Sequence, residues 1–112
     1  MNSRVYLDHN ATTPVDSRVL DVMLPYFHEH YGNPANNTHS FGKRAENAIE
    51  KSREQLSRLI GANPREIFFT SGATESANLA LFGIARQFRN KGRHIITSAV
   101  EHHAVLNPCE FL

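Results

Sequence analysis

Residues 70–76 read TSGATES and lie between two apolar stretches, EIFF at 66–69 and ANLALFGIA at 77–85. Apolar residues in direct succession, as at 67–69, indicate a strand that is covered on both faces. Beyond the turn, the apolar residues follow helical spacing and predict a helix from about Ala73 to Phe88. This helix is apolar almost all round, so we expect it to be buried between layers.

The rest of the chain continues the alternation of helix and strand. The predicted elements are a short extended piece at 5–7, a helix capped by Asp16 and kinked or ended by Pro25, an amphipathic helix from about Thr38 to a stop at Gly61, a strand EIFFT at 66–70, a strand HIIT at 94–97 and a helix that starts near His102. The long helix has an apolar face of Phe41, Ala45, Ile49, Leu56 and Ile60 and an i, i+4 pair of Glu54 and Arg58 on its exposed side. This order predicts an α/β fold with a mainly parallel sheet.

Length and composition exclude several classes of protein. The 112 residues suffice for one small domain, and a net charge of +1 gives no electrostatic case for binding nucleic acid or an anionic membrane. No apolar run approaches the roughly 20 residues of a membrane span, and the first ten residues lack the apolar core of an export signal. The single cysteine, Cys109, excludes an internal disulfide framework and is typical of a cytoplasmic protein.

The TSGATES turn has the chemistry of an anion site. A loop that leaves a strand and opens a helix presents unpaired N–H groups, and the helix dipole adds partial positive charge. The N–H groups of Ala73 and Thr74, with the Thr74 hydroxyl, are candidate donors to phosphate oxygens, and Ser71 and Ser76 are further candidates. Gly72 allows a ligand to approach the backbone closely.

A simpler interpretation of the turn is an ordinary helix cap. In that case Ser71 or Thr74 caps the helix, and Glu75 is favourably placed in the first turn. The turn is not a Walker P-loop, because no GK[ST] follows. Spacing alone leaves the phosphate site and the plain cap open.

Four motifs in order connect this chain to a known family. They are YLDHNATTPV at 6–15, GNPANNTHSFG at 32–42, PREIFFTSGATES at 64–76 and HIITSAVEHHAVLNPC at 94–109. Together they resemble the N-terminal portion of a pyridoxal-phosphate-dependent cysteine desulfurase of the NifS/IscS type, a branch of the class V aminotransferase superfamily. The resemblance covers nearly all of this chain but well under half of a family member. It implies a partial aminotransferase fold type I, with the N-terminal arm and active-site loops in residues 1–40 and the start of the cofactor-binding domain in 41–112.

The resemblance assigns roles to three residues. Ala73 and Thr74 match positions that bind the cofactor phosphate. His102 matches the histidine that stacks on the pyridine ring and can move protons; the alternative is a histidine at a helix N-terminus that bonds its own backbone. Residues 10–13 and 32–34 match loops near the active-site mouth and the subunit contact.

The remaining histidines and the cysteine are assigned no catalytic role. His103 is expected to be solvated, and His39 to be a loop or cap residue. His28 and His30 are two apart, and no HExxH pattern occurs, so no metal site is expected. Cys109 falls on the last helix with apolar neighbours, so it is expected to be a buried, inert thiol. It is not expected to accept sulfur, because the family's sulfur-accepting cysteine lies far towards the C-terminus.

Other groups that the family's chemistry requires are not in this stretch. The lysine that bonds the cofactor and the acid that holds its ring nitrogen protonated lie further along in the family, and Lys43, Lys51 and Lys91 do not match the lysine motif. The chain ends at PCEFL within a predicted helix, from which we expect a partial sequence. Alone, such a chain is expected to be inactive.

The resemblance implies a function for the whole enzyme. It would remove sulfur from L-cysteine, leaving L-alanine and an enzyme persulfide, for iron–sulfur clusters or tRNA thiolation. It would be a homodimer that meets a sulfur-acceptor or scaffold protein in the cytoplasm. Two alternatives stay open: a non-catalytic fragment or remnant that pairs with an intact homologue, and another class V pyridoxal-phosphate lyase or aminotransferase.

Overall fold

The computed structural model describes residues 4–112, which separate into two compact units, one ending at Ile67 and one spanning Phe68–Leu112. The first unit contains helices α1 (Ser17–Met23), α2 (Pro25–His28) and α3 (Ser40–Ile60), followed by a 3-10 turn at Pro64–Glu66. The second contains α4 (Ala73–Gln87) and α5 (His103–Phe111). None of these helices, within residues 4–112, combines the length and the apolar character needed to cross a bilayer.

The helices of the first unit begin and end at the predicted residues or close to them. Asp16 caps α1 by accepting from the Arg18 N–H at 2.9 Å, and a second contact with the Arg18 guanidinium at 2.7 Å holds the pKa of this carboxyl below its usual range. Pro25 is the first residue of α2, where its missing N–H is not needed. α3 ends at Gly61, whose φ of 68° lies in the left-handed region. These predictions are confirmed.

Two glycines allow the loop before α3 to pack against the start of that helix. A Cβ on Gly42 would lie 1.6 Å from the Asn36 carbonyl oxygen, and one on Gly32 would lie 2.1 Å from the Phe41 carbonyl oxygen. Both distances are far inside van der Waals contact, so backbone would have to move to accept any side chain. The loop and the first turn of α3 therefore form one closely packed substructure.

The rest of α3 is only thinly covered. Ala45 and Ser57 are buried, with 7% and 2% of their surface exposed, whereas Phe41, Leu56 and Ile60 of the predicted apolar face are exposed. The predicted Glu54–Arg58 pair forms, with 3.2 Å between nitrogen and oxygen. Because both partners are largely solvated, this pair adds little to stability.

In the second unit, α4 packs against α5. The rings of Phe82 and Phe111 meet edge to face with centroids 5.8 Å apart, and Pro108 of α5 is buried. The prediction that α4 is buried all round is wrong for the described structure: no residue of α4 is buried, and Leu79 and Ile84 are 55% and 61% exposed. A helix with one helical neighbour in its unit can cover only one of its faces.

The predicted strands are not formed anywhere in residues 4–112. Glu66, expected to start the first strand, belongs to the 3-10 turn, and Ile67 at the end of that turn has extended torsions. Ile96, in the centre of the predicted second strand, is 88% exposed. A strand is defined by hydrogen bonds to a neighbouring strand, and the described part of the chain forms no such ladder. The parallel sheet, and with it the α/β class, is therefore not confirmed.

Candidate cofactor site

The site starts at the N-terminus of α4, where backbone donors are free. Gly72 is the N-cap and offers no side-chain cap, so the alternative that Ser71 or Thr74 caps the helix is wrong. The first hydrogen bond of the helix runs from the Ser76 N–H to the Gly72 carbonyl, at 3.1 Å. Within the described residues, the N–H groups of Ala73 and Thr74 have no hydrogen-bond acceptor.

The loop before α4 is held by its own side chains. The Thr70 and Ser76 hydroxyls lie 2.6 Å apart, and the Ser71 N–H and hydroxyl both donate to Oε2 of Glu75 at 2.7 Å. These two bonds hold the pKa of the Glu75 carboxyl below its usual range, the Ser71 N–H having the larger effect. Ser71 and Ser76, predicted as further ligand donors, are thus already engaged within the chain.

The remaining donors fit a phosphate group. Ala73 contributes a free N–H, and Thr74 a free N–H and a hydroxyl, at the positive end of a 15-residue helix. A Cβ built on Gly72 meets nothing within 4 Å, so the space beside this residue is open. The residues predicted from the sequence therefore provide a suitable donor set.

His102 stands at the start of the second helix of this unit. It is the N-cap of α5, and its Nδ1 accepts from the Ala104 N–H at 3.0 Å. The bond to its own backbone, considered above as an alternative to a role at the cofactor, is therefore formed. The His102 ring is exposed, and its centroid lies 6.3 Å from that of His103.

One cavity is lined both by residues at the start of α4 and by residues at the start of α5. It has a volume of about 480 Å³ and is lined by Thr74, Asn78, Phe82, His102, His103, Ala104, Asn107, Pro108 and Phe111. Thr74 and His102, 28 positions apart in sequence, thus face one space, whereas Ala73 is not part of the lining.

Two asparagines of this cavity were not predicted. Asn78 donates from its amide to the Thr74 carbonyl at 2.8 Å, and Asn107 lies one turn further along α5 than His103. Residues four apart share one face of a helix, so the spacing of Thr74 and Asn78 was a usable signal. Asn107 becomes relevant only through the packing of α5 on α4, which no local pattern shows.

The other predicted positions have structural roles or none. His39 caps α3, with Nδ1 accepting from the Gly42 N–H at 3.2 Å, so its prediction as a cap residue is confirmed. Cys109 lies on α5 as expected, but its thiol is half-buried and not buried as predicted. In residues 4–112 no group of three or more metal-ligating side chains is brought together. Lys43 and Lys51 are exposed on α3 as predicted.

Comparison with known proteins identifies the class of this chain. Residues 5–112 match the family described as Aminotransferase class-V. Since this match covers nearly the whole sequence, the chain belongs to the class V aminotransferase family.

Its relatives within the family are more specific. The chain is 56% identical over 108 residues to the mitochondrial cysteine desulfurase of Drosophila melanogaster, and 55% identical over 111 residues to the cysteine desulfurase IscS of Rickettsia felis. A solved structure of a NifS-like protein superposes with a TM-score of 0.87 at 47% identity. The resemblance to the NifS/IscS type of cysteine desulfurase is therefore confirmed.

The match spans this chain but only part of each relative. It covers 96% of this chain and 23% of the Drosophila protein, and 99% and 27% for the Rickettsia protein. For the NifS-like structure the figures are 97% and 30%. The chain thus spans about a quarter of the length of these relatives.

Proposed function

We propose that this chain is the N-terminal part of a pyridoxal-phosphate-dependent cysteine desulfurase and supplies one side of its cofactor site. The observation that carries this proposal is the shared cavity of Thr74 and His102 in a chain whose relatives are cysteine desulfurases. The whole enzyme removes sulfur from L-cysteine to give L-alanine and an enzyme persulfide.

In this proposal, different residues of the chain bind the phosphate and the ring of the cofactor. Ala73 and Thr74 would hold the phosphate through their N–H groups and the Thr74 hydroxyl, since hydrogen bonds to a charged acceptor are stronger than neutral ones. His102 would contact the ring of the cofactor and limit its movement. When bound, pyridoxal phosphate supplies an electron sink for bond breaking in the amino acid. The lysine that bonds the cofactor and the cysteine that takes the sulfur belong to a part of the enzyme outside these 112 residues.

The same proposal extends to architecture and setting. Residues 1–40 form an arm and active-site loops, and 41–112 begin an α/β domain whose sheet gains its neighbouring strands from the rest of the enzyme. The enzyme is a cytoplasmic homodimer that passes sulfur to an acceptor or scaffold protein for iron–sulfur clusters or tRNA thiolation.

A chimeric enzyme provides the direct test. Residues 1–112 would replace the matching quarter of the Rickettsia felis cysteine desulfurase, which supplies the remaining length. We expect the chimera to retain pyridoxal phosphate and to form alanine from L-cysteine. Thr74→Ala should weaken cofactor retention about tenfold or more, since a hydrogen bond to a charged group is lost.

The matched control is Ser52→Ala. Ser52 is exposed on α3 and does not line the cavity, so loss of this hydroxyl should leave retention as it was. Cofactor absorbance after gel filtration measures retention. Equal retention in Thr74→Ala and the parent chimera would sink the phosphate assignment, and a chimera that binds cofactor but forms no alanine would contradict the desulfurase activity.

A further inference from the structure

The hydrogen bond between His102 and its own helix decides which ring nitrogen a ligand can use. We infer that the Ala104 N–H is a positioning group that holds His102 with Nδ1 as acceptor, so that the neutral ring offers an Nε2–H donor to an acceptor atom of a bound ligand. That the ligand is a pyridoxal phosphate adduct rests on the proposed function. The assignment of the proton to Nε2 does not depend on the proposed function.

The assignment follows from the chemistry of imidazole. A neutral ring has one nitrogen that donates and one that accepts. A backbone N–H can bond only an unprotonated nitrogen, and the Ala104 N–H lies 3.0 Å from Nδ1. The proton of the neutral ring is therefore on Nε2.

The same bond fixes how the ring is presented. Nε2 has no hydrogen-bond partner among the described residues, and the ring lines the cavity that also contains Thr74. Rotation of the ring about its Cβ–Cγ bond would break the contact with Ala104 and leave that N–H without an acceptor.

The chain contains an internal match for this geometry. His39 caps α3 in the same way, with Nδ1 3.2 Å from the Gly42 N–H. His103, one residue after His102, forms no ring-nitrogen hydrogen bond within residues 4–112. The two neighbours therefore serve as a positive and a negative control in one sample.

The test is nuclear magnetic resonance on the 112-residue chain labelled with ¹⁵N, with no cofactor present. We expect a through-hydrogen-bond ¹⁵N–¹⁵N coupling between the Ala104 amide and His102 Nδ1. The same coupling is expected between the Gly42 amide and His39, and none to His103. Absence of the Ala104 coupling, or a proton found on Nδ1 of His102, would overturn the inference.

Two substitutions of His102 remove its Nε2–H donor, and only one of them keeps an acceptor for the Ala104 N–H. His102→Asn keeps an acceptor at the capping position and should preserve the slow hydrogen exchange of the Ala104 amide. His102→Gln places its amide further out and should speed that exchange about fivefold, since a cap is lost. Equal exchange in both variants would contradict the positioning role of the bond.

Failure of the proposed function would show differently. Titration with inorganic phosphate should shift the Thr74 amide whether or not His102 is capped. If the coupling is present and Thr74 does not respond, the phosphate site fails while the nitrogen assignment stands. If Thr74 responds and the coupling is absent, the nitrogen assignment alone fails.

Discussion

Ser71 and Glu75 determine the form of the loop at which α4 begins. The Glu75 carboxylate lies in the first turn of the helix, where the helix dipole favours negative charge, and accepts both donors of Ser71. This leaves the Ala73 and Thr74 donors for a ligand. From the sequence, the position of Glu75 in the first turn was predictable, because it depends on spacing alone. Its bond to Ser71 was not, because it depends on the torsions of the loop.

Ser71→Ala should raise the pKa of the Glu75 carboxyl towards its usual range, since one of the two donors is removed. The folded-state pKa of Glu75 lies below its unfolded value, so its bonds stabilise the folded chain above about pH 4. This contribution is lost as the pH falls through the folded-state pKa. Carboxyl ¹³C titration measures the change, with Ser98→Ala as control because that hydroxyl accepts from Val100 instead. An unchanged Glu75 pKa in Ser71→Ala would contradict the account.

At the scale of elements, helices were predictable and strands were not. A helix forms its backbone hydrogen bonds within one segment of the chain, so local residues such as Asp16, Gly61 and His102 mark the ends of helices. A strand needs a neighbour, and the described residues provide none for 94–97. The close approach of Gly42 to the Asn36 carbonyl could not be predicted either, because no local sequence pattern shows that the two residues meet.

The glycines of two helices should respond with opposite sign to the same change. Gly42→Ala places a Cβ 1.6 Å from backbone oxygen and should destabilise the start of α3 by about 1–3 kcal/mol. Gly83→Ala, in the middle of α4, meets nothing within 4 Å and should stabilise that helix by about 1 kcal/mol, because alanine is the better helix former. Amide hydrogen exchange in each helix measures both changes. Stronger protection of α3 in Gly42→Ala would disprove the close packing of the loop.

At the scale of the whole molecule, each unit covers little apolar surface. Among the described residues of the first unit, Gly42, Ala45 and Ser57 of α3 are buried. In the second unit, Pro108 of α5 is buried. The apolar patterns of α3 and α4 predicted buried faces that are largely exposed in the described residues, because a pattern does not say which part of a protein covers it. The candidate site is less affected by this limit, because Thr74 and His102 lie on two helices that pack within one unit.

The most direct test of the central claim is amide resonance mapping of the 112-residue chain with pyridoxine 5′-phosphate and, separately, with pyridoxine. Neither compound can condense with Lys43, Lys51 or Lys91, and the two differ only in the phosphate. The account predicts that the phosphate compound shifts the Ala73 and Thr74 amides and the signals of His102, and that pyridoxine leaves Ala73 and Thr74 unmoved. Equal shifts with both compounds, or shifts confined to residues other than Ala73, Thr74 and His102, would contradict the assignment of a cofactor site to this chain.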